Sequence, residues 1–387
     1  MNRLELLLII LVVVGAICFL VLPSNRIKEE KKEMVEQNQK IVSEVEEEEI
    51  LSPEEKKVQK IMESMTIEEK IGQLFLVRYP GIEKATNEVK ENVPGGYILF
   101  GVNFKNKTKE QLVEELQNLQ NESKTKLLIA VDEEGGSVVR ASAYSAFRSA
   151  KFKSPQELGS MEQILQDAKE KSAFLKELGI NMNLAPVVDV AQSKKSFIYA
   201  RTYGKNYEET AKYASEVVKT MNQEKMISCL KHFPGYGDNV DTHTGIAIDE
   251  RSISEFQEKD FLPFMSAIQE GAPAILVNHN IVKCMDETMP ATLSPKVHEI
   301  LRNDLNFSGV IMTDDLAMAA VKSYVEDGNA AVQAVLAGND SIITSTFEKH
   351  QKEVLDAFHE GRITQEMIED AVKRVLFMKL RYGIIEP

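Results

Sequence analysis

The sequence predicts an α/β chain built around a single (β/α)8 TIM-type barrel. Three observations predict it. Short apolar runs of strand length alternate with longer segments of helical composition, the pattern of a parallel sheet with crossover helices. Eight such runs fall within roughly 330 residues, which suits a closed barrel better than an open sheet. The doubly wound alternative needs a phosphate-binding glycine loop after an early strand. Here Gly95-Gly96 precedes its strand, and Gly135-Gly136 lacks the G-x-G-x-x-G spacing.

Two segments precede the barrel. Residues 6–22 are apolar throughout and carry no charge. About 17 residues is near the lower limit for crossing a bilayer, and a buried core helix is rarely apolar on every face. Ile17 before Cys18 makes a poor lipoprotein cleavage site, and no small-x-small site closes the run. Residues 1–23 are therefore expected to be an uncleaved transmembrane signal anchor. Arg3 favours an internal amino terminus, but Arg26, Lys28, Lys31 and Lys32 flank the other side, so charge alone does not choose the orientation. Residues 24–52 are rich in Glu and Lys, with an acidic run at 46–49, and read as a charged, solvated linker. The barrel is assigned residues 53–387.

Its first helix starts at Ser52-Pro53-Glu54-Glu55: Ser as cap, Pro in the first turn, Glu three residues after the cap. Thr66-Ile67-Glu68-Glu69 repeats the signal. Strands are predicted at 74–77, 97–100, 127–131, 180–186, 227–230, 274–277, 309–312 and 341–343. Helices are predicted at 111–121, 156–178, 208–225, 254–270, 295–305, 329–336 and 365–381, most of them amphipathic at 3.6-residue spacing.

Composition excludes several classes. The net charge is −14 with no long basic patch, so no nucleic-acid partner is expected. Cys18, Cys229 and Cys284 do not make a disulfide framework. No Cys pair has zinc spacing and no H-E-x-x-H is present, so neither a metal nor a cofactor is expected. There is no G-x-S-x-G nucleophile elbow.

Polar residues gather at the predicted strand ends. The third strand is followed by Asp132, Glu133, Glu134 and later Arg140, the fourth by Asp189 and Arg201. The fifth ends at Lys231-His232, the sixth at Asn278-His279, the seventh at Thr313-Asp314-Asp315. In a barrel these ends share the face that carries active sites. One charged residue there reads as a helix cap; five strands ending this way do not. After Lys231-His232, Pro234, Gly235 and Gly237 end the strand and free the chain to loop. Farther along, Asp241 lies two positions from His243, where a carboxylate can hold an imidazole's tautomer and raise its basicity. The Gly and Pro content predicts that His243 moves in and out of the site. A strand-end carboxylate, a loop imidazole and a ring of hydrogen-bonding and cationic groups are the parts that sugar hydrolysis uses. An imidazole of pKa about 6.5 can donate a proton and then accept one.

The motifs Ile129-Ala130-Val131-Asp132-Glu133-Glu134-Gly135-Gly136, Leu184-Ala185-Pro186-Val187-Val188-Asp189-Val190, Lys231-His232-Phe233-Pro234-Gly235-Tyr236-Gly237-Asp238 with Asp241-Thr242-His243, Pro290-Ala291-Thr292-Leu293-Ser294 and Gly309-Val310-Ile311-Met312-Thr313-Asp314-Asp315-Leu316 follow one another in this order. On these the chain resembles glycoside hydrolase family 3, and within it the bacterial β-N-acetylhexosaminidases that trim cell-wall sugars. The resemblance implies that Asp314 is the nucleophile, His243 the acid/base and Asp241 its orienting partner. It implies that Asp132, Arg140, Arg201, Lys231 and His232 hold the hydroxyls and acetamido group of N-acetylglucosamine. Asp315 is expected to be structural, and His279 either near the site or a satisfied strand-end histidine. The chain departs from the family in four ways. Tyr236 stands where His is usual and Thr242 where Ser is common. Ser137 stands where an Arg usually follows the two Gly, and residues 141–153 lack the usual proline-rich segment. A second domain, carried by some relatives, is not expected after the barrel.

The implied function is a retaining exo-β-N-acetylglucosaminidase. It would act on N-acetylglucosamine-containing, peptidoglycan-derived fragments (muropeptides), with the catalytic domain held outside the cell membrane. Two alternatives stay open: a β-N-acetylglucosaminide phosphorylase using the same site, and a non-catalytic wall-glycan-binding protein.

Overall fold

The structure is a computed structural model that describes residues 51–239, 247–317, 321 and 329–386. The expected anchor and nearly all of the linker lie outside the described residues. Among the described residues no helix is long and apolar enough to cross a membrane. Lys57–Pro387 form one compact unit, separate from Met1–Lys56, and that unit contains the barrel.

In chain order the strands are β1 (Phe75–Arg78), β2 (Gly96–Leu99), β3 (Leu128–Val131), β4 (Met182–Asn183), β5 (Ile227–Phe233), β6 (Ile248–Asp249), β7 (Ala274–Val277), β8 (Ile281–Val282), β9 (Val310–Thr313) and β10 (Ile342–Thr344). Eight of them form one sheet in the order β10-β1-β2-β3-β4-β5-β7-β9, while β6 and β8 pair separately. Every pairing between these strands is parallel. The ring closes between β9 and β10 through a Met312–Ser341 bridge and a 3.0 Å bond from Thr313 N to the Ser341 carbonyl. The predicted barrel is thus present, with each sheet strand at or near its expected run.

Several boundaries differ. The fourth strand is two residues rather than the expected 180–186, because Pro186 has no N–H to give the ladder. Beyond that strand Leu184 N donates to the Val131 carbonyl and Cys229 N to the Ala185 carbonyl, both at 2.9 Å, and a Val187–Lys231 bridge follows. The fifth runs through Phe233, so Lys231 and His232 lie inside the strand and not beyond it. The expected helix 156–178 is two helices, Pro155–Leu158 and Met161–Glu177, parted at left-handed Gly159. The expected helices 254–270 and 295–305 each contain a π-helical turn, Phe256–Asp260 and Ile300–Asp304. Helices Ile82–Glu91 and Phe347–His359 were not anticipated. Neither has a side-chain cap bond at its start, so the usual sequence signal is missing. Where the signal exists it works: Thr66 and Glu69 exchange reciprocal capping bonds at the head of Ile67–Gln73.

The strands place the site by their period of two. Leu76, Ile98, Leu128, Ala130, Ile227, Cys229, Leu276, Val310 and Met312 share one buried cluster inside the barrel. Their neighbours point outward to the helices: Phe75, Tyr97 and Ile129 in one cluster, Leu230, Ile275 and Ile311 in another. Each such side chain, fully buried, stabilises the fold by about 1.5–3 kcal/mol. The C-terminal helix Gln365–Arg381 adds Val375 and Met378 to the interior cluster, joined by Tyr382, and so plugs the N-terminal mouth.

Candidate active site

Extending the inward positions by two residues reaches the polar groups. Asp132 follows Leu128 and Ala130, Lys231 follows Ile227 and Cys229, and Asp314 follows Val310 and Met312. All three line one cavity of about 320 Å³ at the C-terminal mouth, together with Glu134, Arg140, Arg201, His232, Phe100, Phe197 and Tyr236. That volume is at the small end of ligand pockets, about 300–1,000 Å³.

Asp314 is half-buried. Its backbone N–H donates to the Val277 carbonyl at 3.1 Å, and its carboxylate accepts from Asp315 N at 2.8 Å. Asp315 also lines the cavity, but its carboxylate accepts from Ala317 N at 2.9 Å, the turn-capping role expected of it. His279 is fully buried, with Nε2 3.1 Å from the carbonyl of Asp315, which lines the cavity.

The centre of the site is an ion network with Glu134 as its hub. Lys231 Nζ lies 2.7 Å from Asp132 and 2.6 Å from Glu134. Arg201 grips Glu134 with Nε at 3.0 Å and Nη2 at 2.8 Å, a bidentate pair. Arg140 Nη2 reaches Asp132 at 3.4 Å. Burial by itself would push the Glu134 carboxyl up. Lys231 and Arg201 outweigh it and hold that carboxyl well below the usual carboxylate range. Burial would likewise push Lys231 down, but Asp132 and Glu134 more than offset this and raise it. Lys231 is therefore a held cation and hydrogen-bond donor, not a proton acceptor.

His232 sits where the β5–β7 ladder shifts register, between Lys231 and Phe233. Such an irregularity re-aims a side chain relative to strict alternation. Its Nδ1 is 2.7 Å from Asp189, and Nε2 is 3.2 Å from Arg201 Nη2. A guanidinium only donates, so Nε2 accepts and Nδ1 carries the proton. Asp189 is buried and also receives the backbone N–H groups of His232 at 2.9 Å and Tyr236 at 2.8 Å. One carboxylate thus joins the end of β5 to the start of its loop. Tyr236 is buried, edge-on to His232 and Phe197 with ring centroids 5.1 Å away in both cases, so the residue that departs from the family pattern is a packing element.

Glu133 sets the position of Arg140. Its buried carboxylate accepts from the backbone N–H of Arg140 at 2.9 Å and of Ala141 at 2.8 Å, and from the Ser142 hydroxyl. The Arg140 guanidinium then lies 5.8 Å from the Phe100 ring.

The structure thus brings Asp132, Arg140, Arg201, Lys231, His232 and Asp314 together around one cavity. Asp241 and His243 lie outside the described residues, as does the predicted movement of His243. Sequence reasoning noted Glu133, Glu134 and Asp189 at strand ends but gave them no part in the site, and it missed Phe100 and Phe197. The available signal was position: Glu134 and Phe100 each lie two residues beyond an inward-facing group, Asp132 and Ile98.

The description "Glycosyl hydrolase family 3 N terminal domain" matches residues 66–378. The chain is 30% identical over 321 residues to beta-hexosaminidase A of Pseudoalteromonas piscicida, covering 74% of this chain and 53% of that protein. It is 32% identical over 262 residues to a beta-hexosaminidase of Nitrosomonas eutropha, covering 64% of this chain and 73% of that protein. The solved structure of a family 3 beta-N-acetylglucosaminidase from Paenibacillus sp. aligns with a TM-score of 0.77 at 29% identity, over 83% of this chain and 63% of that one. A beta-N-acetylhexosaminidase from Beutenbergia cavernae shares the fold, with a TM-score of 0.72 at 24% identity over 81% of this chain and 98% of that one. The chain spans about half the length of the Pseudoalteromonas relative.

Proposed function

The chain belongs to glycosyl hydrolase family 3, and we propose that it is a retaining exo-β-N-acetylglucosaminidase acting on peptidoglycan-derived fragments. One observation carries the reading: the Asp314 carboxylate shares a cavity at the C-terminal mouth with the polar and charged groups of Asp132, Lys231, Arg201, Arg140 and His232. The names of the relatives support the choice of N-acetylglucosamine.

In this reading the terminal N-acetylglucosamine sits with C1 over Asp314. Lys231 spends two donors on Asp132 and Glu134 and turns the third to a sugar hydroxyl. Asp132 accepts hydroxyl protons, Arg140 and Arg201 hold the remaining hydroxyls and the acetamido group, and His232 accepts from Arg201 and fixes its aim. The Asp314 carboxylate bonds to C1 as the glycosidic C–O bond breaks, and His243 protonates the departing oxygen. Water then adds to C1 while His243 takes its proton, and the C1–O bond to Asp314 breaks. Two inversions leave the β configuration unchanged. Asp241 orients His243 throughout. Residues 6–22 anchor the enzyme outside the membrane. Release of the protein from membranes by detergent, and not by high salt, checks that part.

The wild type is expected to release nitrophenol from 4-nitrophenyl β-N-acetylglucosaminide, and Asp314→Asn to lower kcat/KM at least about 10³-fold. Free N-acetylglucosamine in both phosphate and non-phosphate buffers marks a hydrolase. A sugar phosphate formed in phosphate would replace this reading with a phosphorylase. Wild type and variant equally inert from roughly pH 5 to 8 would leave only glycan binding.

A further inference from the structure

The loop that carries Asp241 and His243 departs after Phe233, is described as far as Asn239 and is described again from Ala247. Both of its ends are tied to one side chain, Arg251. On the outgoing end, Nη2 donates to the Gly235 carbonyl at 3.0 Å. On the returning end, Nε and Nη2 fork onto the Asp249 carboxylate at 3.0 and 2.7 Å. Nη1 donates at 2.8 Å to Asp260 on the π-helical turn that follows. The guanidinium also lies 4.2 Å from the centre of the Phe256 ring on that turn. Asp249 and Asp260 are buried, so these charge-assisted bonds are made away from competing water. The returning end is held a second time by β6 pairing with β8.

The clamp leaves no slack on the outgoing side. Gly235 has φ +120°, and a Cβ there would stand 2.5 Å from Asp260 Oδ1. Gly237 has φ +56°, and a Cβ there would stand 3.0 Å from the Arg251 guanidinium carbon. The two glycines that let the chain turn out of β5 are thus also the residues over which Arg251 and Asp260 close. Among the described residues no hydrogen bond or ion pair joins the network around Glu134 to this cluster.

We propose that Arg251 is a positioning residue for proton transfer: it sets the separation of the loop's two ends and so the reach of His243 toward the glycosidic oxygen. The inference rests on the reading of His243 as acid/base. A planar five-donor fork is what the task needs, because one group must meet a carbonyl and two carboxylates in fixed directions. Fixing both ends also reduces the conformations open to the segment between them.

Two variants test it. Arg251→Met removes the clamp. Arg251→Lys keeps a cation beside Asp249 and Asp260 but cannot make the fork, so it serves if the first fails to fold. Each is compared with wild type on two aryl β-N-acetylglucosaminides. The 4-methoxyphenyl leaving group needs a proton; the 2,4-dinitrophenyl group does not. Both variants are expected to lose about 10²-fold in kcat/KM on the first and less than about threefold on the second. Equal losses on both would mark a general structural role and overturn the proposal. Amide hydrogen exchange gives a readout independent of activity. Residues 233–239 and 247–251 should exchange faster in the variants while the rest of the barrel is unchanged, and exchange equal to wild type would overturn the clamp. A wild type inactive on both substrates would sink the glycosidase reading and leave the exchange result to decide the clamp.

Discussion

The two mouths of the barrel both pair buried charges, but in different surroundings. At the N-terminal mouth Arg302 and Arg374 pair with the buried Asp340, and these groups and their neighbours are also turned onto the main chain. Arg302 donates to the Phe307 and Gly309 carbonyls, Asp340 accepts from Ile311 N, and Gln73 donates to the Val93 carbonyl. Lys379 is fully buried there with Nζ 2.8 Å from Gln73 Oε1, and burial pushes it down to about 7. At the C-terminal mouth, Asp132, Glu134, Lys231 and Arg201 are turned onto one another around a cavity. Burial of charge is common to both mouths and does not mark the site. The difference lies in what the charges face: backbone groups that need partners at one end, and space for a ligand at the other.

The largest effect expected in sharpening this comparison is at the hub. Glu134→Gln leaves Lys231 and Arg201 buried with one counter-charge fewer, and should cost about 3–5 kcal/mol of stability. It should also raise KM, because both cations lose their fixed aim. Denaturant unfolding and steady-state kinetics check the two halves, and an unchanged midpoint would break the claim that the network hangs on Glu134.

A smaller effect belongs to the other mouth and leaves activity alone. The native pKa of Lys379, about 7, lies below its ordinary value of 10.5. Between those values the unfolded chain binds the extra proton, so stability rises with pH across that window and falls as pH drops toward 7. From pH 7 to about 9 the gain from this group is about 2 kcal/mol. Lys379→Met should remove that slope, measured by urea unfolding at several pH values, while kcat/KM stays as in wild type. A slope that survives the substitution would place its origin elsewhere.

The smallest effect separates neighbours. Asp315→Asn retains an acceptor for Ala317 N, because Asn caps nearly as well as Asp. Its kcat/KM should stay within about threefold of wild type. A loss comparable with that of Asp314→Asn would show that the two adjacent carboxylates had been assigned the wrong way round.

Much of this was readable along the chain. Apolar runs of four or five residues separated by amphipathic segments marked the strands, and polar residues at their ends marked the functional mouth. Continued one step, the same alternation separates Asp314, in line with Val310 and Met312, from Asp315, in line with Ile311. The short fourth strand and the π-helical turns were not legible, because each depends on neighbours supplied by other elements.

By itself the sequence determined the barrel and the gathering of polar residues, Asp132, Lys231 and Asp314 among them, at its strand ends. These follow from periodicity, a property of residues a few positions apart. Only the closed barrel decided that Glu134 is the hub and that Arg251 holds the loop's ends. Arg201 meets Glu134 across 67 residues of chain, and Lys231 meets Asp132 across 99. Coulomb attraction depends on distance through space, and that distance exists only once the sheet has curled back on itself.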